Sequence, residues 1–432
     1  MVNKVKIYNK KSELTGMTVK KKDEHLIMDV NLKKQYSVGV IANIGAGRGT
    51  NDRYTGRFFG LRFTSKSRLS VMGNINNMND SQQPGENVGD LSPTSIGGGL
   101  QSLKSGGLSY RYDNGKEFYI QSDNTVNRTD NDNQFNTISE TFLTSGNAFA
   151  HSLNKSRMQN TNFNSMNMMN YHTDRFWMRS SLTFNCSKDN TRSRELSGNF
   201  SSNPLLLINS GVLDSLFASP LNQHLRQITL NRRSQDGMGK GRQLNTTLGA
   251  SCRLLTDKQT KDGLSIDAQF NYSNSTRNNF SQSFLDYPSS PTAIADNRNQ
   301  YTHAPTRGYN LSVNSFYEYF LRNDMGNKKG DKIIMLSPGC EFKKVYNSSR
   351  YLLYRLDKLS GWQQRQLGLL PSTNDSLLMA IDAGNSYFSN RHDPTDNQLI
   401  LMFHMELLVM RSIYDHFGGW VKEKYDVTEI FN

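Results

Sequence analysis

The chain has 432 residues, of which 35% are hydrophobic, 10% aromatic and 21% charged, and it carries a net charge of +13. No apolar run approaches the roughly 18 residues a spanning helix needs, which excludes a helical membrane protein but leaves open a β-barrel, whose strands hide hydrophobicity in alternation. Three cysteines, Cys186, Cys252 and Cys340, are too few and too dispersed for a disulfide scaffold or a metal knuckle.

Met1 is followed by Lys4, Lys6, Lys10 and Lys11 without an apolar stretch, so no secretory signal peptide is read. Either the protein is not exported or its front end is missing. The basic residues are spread along the chain and no Lys/Arg block interleaves with stacking aromatics, so a nucleic-acid partner is not expected.

Period two, which sends successive side chains to opposite faces of a strand, dominates the pattern. It begins with Tyr36, Val38, Val40, Ala42, Ile44 and Ala46 against Ser37, Gly39, Asn43, Gly45 and Gly47. Phe59, Leu61 and Phe63 continue it, followed by Leu69, Val71, Gly73 and Ile75, then Leu108, Tyr110, Tyr112, then Phe118 and Ile120, and a weaker segment from Phe163 to Tyr171. The clearest strand sets Phe176, Met178, Ser180, Leu182, Phe184 and Cys186 against Arg175, Trp177, Arg179, Ser181, Thr183 and Asn185. Next come Leu244, Leu248, Ala250, Cys252 and Leu254, and Leu264, Ile266, Ala268, Phe270 and Tyr272. Tyr309 to Tyr319 and Ile334 to Phe342 close the series. Each segment is about 9 to 13 residues long, close to what a tilted strand needs to cross a bilayer.

Connections alternate in length. Short ones fall at Ser65 to Ser67, at Asp113 to Lys116 with an Asn-Gly that predicts a type I′ turn, at His172 to Asp174 and at Thr256 to Gly263. Long ones run from Asn77 to Gly99, Asn127 to about Asn160, Lys188 to Gly241 and Thr276 to Thr306. That parity matches outer-membrane barrels, with short turns on one side and long loops on the other. Arg48 to Asp52 is a short connection where a long one is expected. The long segments are rich in Asn, Ser, Gly and Asp, and predict mobile surface loops. Tyr351 to Leu370 and Ser376 to Asp382 have helix-like spacing, whereas Leu399 to Met410, almost continuously apolar, fits a strand or a helix.

Motifs for chemistry are weak. Gly45 to Gly49 enters a hairpin rather than a helix, and Gly237 to Gly241 lacks the full phosphate-loop spacing. Asp130, Asp132, Gln134 and Glu140 imitate a calcium loop, but Glu140 comes one place early and Phe135 holds the glycine position. His172, His224, His303, His392 and His404 show no paired metal spacing. No enzyme, catalytic residue, metal or cofactor is expected.

Met1–Leu14, Ile27–Lys34, Gly45–Gly47 through Asp52–Tyr54, and Leu69–Asn79 resemble the plug-to-barrel junction and first strands of TonB-dependent-receptor-like outer-membrane proteins of Bacteroidota. The resemblance runs at least to Tyr346, and Tyr354–Asp357 to Phe388 is similar as well. It implies a barrel of about 22 strands around a plug, importing a bound nutrient with energy relayed by TonB. This chain departs from that pattern by lacking most of the plug and any TonB-contacting segment, and by holding only about 11 to 12 strands. It therefore reads as a fragment, with TonB reached only through the missing N-terminal region.

The expected fold is all-β, a partial antiparallel transmembrane β-barrel with long surface loops. Residues 1–34 are a plug remnant, 35–345 the barrel strands, 346–395 a partly helical surface loop and 396–432 an atypical tail. Phe176, Met178, Leu182, Phe184, Leu248, Ala250, Leu264, Ile266, Ala268 and Phe270 are expected to face lipid, and Arg175, Arg179, Arg253, Asp267 and Glu341 a lumen. The expected function is binding and uptake of a small nutrient or glycan at the cell outer membrane, with outer-membrane lipid as partner. The alternative is a soluble or surface-attached all-β binding protein or adhesin.

Overall fold

The computed structural model describes residues 2–10, 25–32, 38–80, 99–144, 146–208, 210–257, 261–290, 292–323, 332–362, 365–381, 395–413 and 419–431. β1 (Val2–Lys10) and β2 (His25–Leu32) form a two-stranded antiparallel sheet of their own. All other strands belong to one large antiparallel sheet. It runs through β3 (Gly39–Arg48), β4 (Tyr54–Phe63), β5 (Ser67–Asn76), β6 (Leu100–Asp113), β7 (Phe118–Thr141), β8 (Ala148–His172) and β9 (Phe176–Phe200). It continues through β10 (Thr229–Leu255), β11 (Gly263–Asp286), β12 (Asp296–Asn323) and β13 (Lys332–Ser349), each pairing with its sequence neighbour. β14 (Leu352–Arg355) returns to the outer part of β12, and β15 (Thr395–Ile413) and β16 (Gly419–Phe431) extend the sheet beyond β13. The apolar run from Leu399 to Met410 is thus a strand. β3 and β16 lie at opposite ends of the strand order with no ladder joining them, so the sheet is open.

The strands are longer than the alternation predicts. β7, β8 and β9 have 24, 25 and 25 residues, and β10, β11 and β12 have 27, 24 and 28. At ~3.3 Å per residue these reach about 80 to 90 Å, far beyond the ~9–11 residues that cross a bilayer. Asn127 to Asn160, both ends of Lys188 to Gly241 and most of Thr276 to Thr306, all expected as mobile loops, are therefore strand extensions, as where β7 and β8 pair continuously out to Thr141↔Ala148; residues 81–98 of the expected loop Asn77 to Gly99 lie outside the described residues. The backbone ladder satisfies every second N–H and C=O without apolar burial, and polar side chains bond across it. Arg157 makes two bonds to the Asp130 carboxylate (3.0 and 2.6 Å), Gln159 donates a third (2.9 Å), and Arg232 donates to the directly opposed Asp286 (3.0 Å).

At the other end, short turns are closed by side-chain caps. Thr64 Oγ1 accepts from the Ser67 amide (2.9 Å), and Thr173 Oγ1 from the Phe176 amide (3.1 Å). Asn114 Oδ1 accepts from the amides of Lys116, Glu117 and Phe118, each at 2.9 Å. Of Asn114 and Gly115 only Gly115 has positive φ (72°), so the expected type I′ turn, which needs two such residues, gives way to a capped four-residue turn.

Two small cores sit on the extensions. In the first, α1 (Val212–Leu216) and α2 (Gln223–Ile228) bury Leu216 and Leu225 against Leu196 and Phe200 of β9. Gly198 makes that approach possible, because a Cβ there would collide with Leu216 and come within 2.9 Å of the Phe200 ring. In the second, β14 and the turn Leu356–Lys358 stack on β11 and β12, with Phe280 and Tyr301 ring centroids 4.6 Å apart and Tyr301 and Tyr354 5.5 Å apart. Tyr351 to Leu370, expected to be partly helical, opens with the short strand β14 and the 3-10 turn Leu356–Lys358 and otherwise holds no helix among its described residues; the helix of this region is α3 (Asn374–Met379).

Amides of Asn127 to Thr141 and Ala148 to Ser156 should exchange with deuterium at least ~100-fold more slowly than an unstructured chain; exchange at the unstructured rate there would contradict the pairing.

Candidate functional site

Register decides which side chains share a face. Leu182 lies opposite Leu248, Leu248 opposite Phe270, and Phe270 opposite Leu311. Met178, Cys252, Ile266 and Ser315 form a second row, and Ser180, Ala250, Ala268 and Val313 a third. All ten residues expected to face lipid therefore fall on one side of the sheet. Leu182 (38% exposed) and Leu248 (42%) are exposed and the other eight half-buried. The side continues across β8 to β3 with Phe163, Val126, Leu108, Val71, Phe58 and Ile44 (76% exposed). Cys186, Cys252 and Cys340 lie on it too, as free thiols.

Phe59, Leu61 and Phe63 do not. The ladder sets them against Asn43, Ile41 and Gly39, on the opposite side from Ile44, and Phe58 and Gly60 take the apolar side instead. An all-apolar pair of neighbours, Phe58-Phe59, makes the two faces of this strand indistinguishable by alternation alone. The Phe63 ring fills the space over Gly39, where a Cβ would come within 2.7 Å of it.

The apolar side is a band with aromatic margins. Near the short turns lie Tyr112 and Phe118 (ring centroids 6.1 Å apart) and Tyr171 and Phe176 (6.2 Å). The far margin holds Phe163 and Phe184 (6.0 Å) and the stacked pair Tyr309 and Tyr346 (5.3 Å). From Phe176 to Cys186 the strand rises about 33 Å. Within the band, Ser122, Asn124, Ser165 and Asn167 make one polar window and satisfy each other: Ser122 donates to Asn167 (2.7 Å), Asn124 to Ser122 (2.9 Å) and Asn167 to Ser165 (2.9 Å).

Across β9 to β13 the opposite side is mainly polar. Arg179 faces Ser251, Ser251 faces Asp267, Asp267 faces Asn314, and Asn314 faces Glu341, so four of the five residues expected to line a lumen share it. Arg175 differs: it belongs to the turn before β9, its carbonyl accepting from the Leu255 amide (2.8 Å). Arg253, opposite Trp177 and Ser265, is ion-paired with Glu318, a partner that sequence reasoning missed because Glu318 sits between two tyrosines on the strand.

Also on this side, the run Asn74 to Asp80 forms a buried polar knot rather than the start of a mobile loop. Asn76 donates to Asn74 (3.1 Å) and to the Asp80 carbonyl (2.9 Å), its own carbonyl accepts from the amides of Met78 and Asp80 (3.2 Å each), and Arg57 pairs with Asp80. Asn77 and Asn79 tie the knot outward, to Asp52 (2.9 Å) and to Gln101 (2.8 Å).

Beyond the far aromatic margin the apolar side becomes charged. A recess of about 380 Å³ opens where Gln366 and Leu367 overhang β8 to β10, with Lys155, Arg157, Arg192 and Arg194 facing Asp132 and Asp236. Among the described residues no cluster of His, Cys, Asp and Glu could hold a metal ion, and no helix is long and apolar enough to cross a membrane. No protein-family model and no curated protein matches the chain.

The second core is locked by Asp357. Burial opposes its ionisation, but bonds from Arg355 (3.0 and 2.7 Å) and from the Asn299 amide (3.2 Å) outweigh this and hold its carboxyl below the usual aspartate range. Because the folded value is depressed, this stabilisation is complete above the ordinary aspartate value and lost as pH falls through the folded one. Proteolytic cleavage between Tyr351 and Ile381 should therefore rise on acidification below about pH 4, and Asp357→Asn should show the faster cleavage already at neutral pH. Equal cleavage of variant and wild type at neutral pH would contradict the lock.

Proposed function

We propose that this sheet is the wall of an outer-membrane β-barrel of TonB-dependent-receptor type, serving the binding and uptake of a small nutrient or glycan across the outer membrane. One observation carries the reading: large apolar side chains line one face of the sheet, bounded by aromatics at both margins, and stay outside the buried core. The buried hydrophobic residues belong almost entirely to the two caps, among them Phe200, Leu216, Leu225, Tyr354 and Leu356, whereas Val40, Ile44, Leu108, Val126, Leu182 and Leu248 of the band are exposed. A contiguous exposed apolar surface of this extent is matched to lipid. At the ~40° strand tilt of membrane barrels, the run of about 33 Å from Phe176 to Cys186 would span about 25 Å, the height of a lipid-facing band between aromatic girdles.

The polar side then faces the lumen, with Arg179, Arg253, Asp267 and Glu341 available to a passing solute, and the strand extensions stand above the outer leaflet. An open edge cannot face hydrocarbon, so β3 and β16 each meet a further strand when the wall is inserted.

Leu182→Arg places a charge at mid-band and should cost ~2–4 kcal/mol of membrane stability. Membrane fractionation and the mobility difference between boiled and unboiled samples in detergent gels should show wild type inserted and the variant depleted. An inserted variant at wild-type level would remove the lipid assignment. A wild-type chain that stays soluble without detergent would favour a surface binding protein instead.

A further inference from the structure

We infer that the cationic row just beyond the outer aromatic margin binds the phosphate-bearing head groups of the lipid leaflet around the long-strand end; the inference rests on the reading that the apolar band meets lipid. Position comes first. On four strands the band ends and a cation follows two residues later on the same face: Arg128 after Val126, Lys188 after Cys186, Arg242 before Leu244, and Arg307 before Tyr309. Two residues along a tilted strand is about 5 Å, the distance from the edge of the hydrocarbon to the head groups. Arg307 lies over the ring of Tyr272, itself a margin residue, with 5.9 Å from guanidinium carbon to ring centroid.

Pairing comes second. The register sets Lys104 directly opposite Arg128 and Lys188 directly opposite Arg242. Like charges in direct cross-strand pairs destabilise a sheet unless an anion lies between them. Asp130, bonded to Arg157 and further out, also attracts Arg128, and Asp236 lies 3.9 Å from Arg194, so it is the pair Lys188 and Arg242, flanked by Thr161 and Thr276, that has no acid among its ladder neighbours. All of Lys104, Arg128, Lys188, Lys240, Arg242 and Arg307 are exposed.

Asymmetry comes third. At the short-turn end acids and bases are mixed, with Asp113, Glu117 and Asp174 among Lys66, Lys116 and Arg175. The cation-only row belongs to one margin, as it would if the two leaflets differed in head-group charge. A phosphate seated between two opposed cations would accept hydrogen bonds from both, relieving the repulsion and fixing the depth of the wall.

The test uses the full chain reconstituted into vesicles of phosphatidylcholine alone and of phosphatidylcholine doped with bisphosphorylated lipid A. Insertion is followed by heat-modifiable gel mobility, and lipid A retained per protein after detergent extraction is measured. Wild type should insert into both and retain lipid A roughly ten-fold above its share of the vesicle, while Lys188→Gln/Arg242→Gln should insert normally into phosphatidylcholine and lose most of that enrichment. Normal insertion with no enrichment, or enrichment unchanged in the double variant, would overturn the inference and leave the lipid-facing band intact. Failure of wild type to insert into either vesicle would overturn both.

Discussion

Everything in this sheet depends on register. In an antiparallel ladder a slip of one residue sends every side chain to the other face. From β3 to β13 the pairing runs strand to neighbouring strand, with shifts only at Thr229/Asn231 and Phe320/Arg322. Short alternating runs that mean little singly thereby add up to one apolar face and one polar face. The caps on the short turns, from Thr64, Asn114 and Thr173, hold that register at the end where the band begins.

Stability along a strand changes character with distance from those turns. Over the band, side chains are not withdrawn from their surroundings by the protein, so the hydrophobic contribution must come from what covers the face. Further out, the extensions are held by backbone hydrogen bonds and polar cross-strand pairs such as Arg157 with Asp130, and Arg232 with Asp286. Only at the far ends does ordinary core packing appear, under α1 and α2 and beneath β14. These caps sit on the same side as the band, so that side passes from apolar to cationic to packed, while the other is mainly polar, apart from side chains such as Phe59, Leu61 and Phe63 of β4.

How much of this was legible in the sequence follows from what alternation encodes. The face of β9, β10 and β11 was readable because Phe176 to Cys186, Leu244 to Leu254 and Leu264 to Tyr272 each alternate cleanly. Phe58-Phe59 defeated the same test, since adjacent aromatics give no parity. The extensions were hidden because Asn, Ser and Asp on both faces look like loop; their order comes from the ladder, which leaves no mark on side-chain polarity. Asn74 to Asp80 misled for the same reason, as an asparagine in a hydrogen-bonded knot and one in a loop have the same letter. Glu318 and the opposed pair Lys188 and Arg242 needed the register itself, which a single strand does not contain. Leu399 to Met410, apolar but for His404 and Glu406, fits a strand and a helix alike, and only its pairing with β13 decides between them.

The most direct test of the lipid-facing band is a nitroxide scan of single cysteines from Leu244 to Leu254, in a background without the three native cysteines, in reconstituted vesicles. Even positions should be accessible to lipid-dissolved oxygen and odd positions to a water-soluble relaxation agent, alternating with period two. Loss of that alternation, or oxygen accessibility low at Leu248 and Ala250, would mean that the apolar face is covered by protein and that the sheet is not a membrane wall.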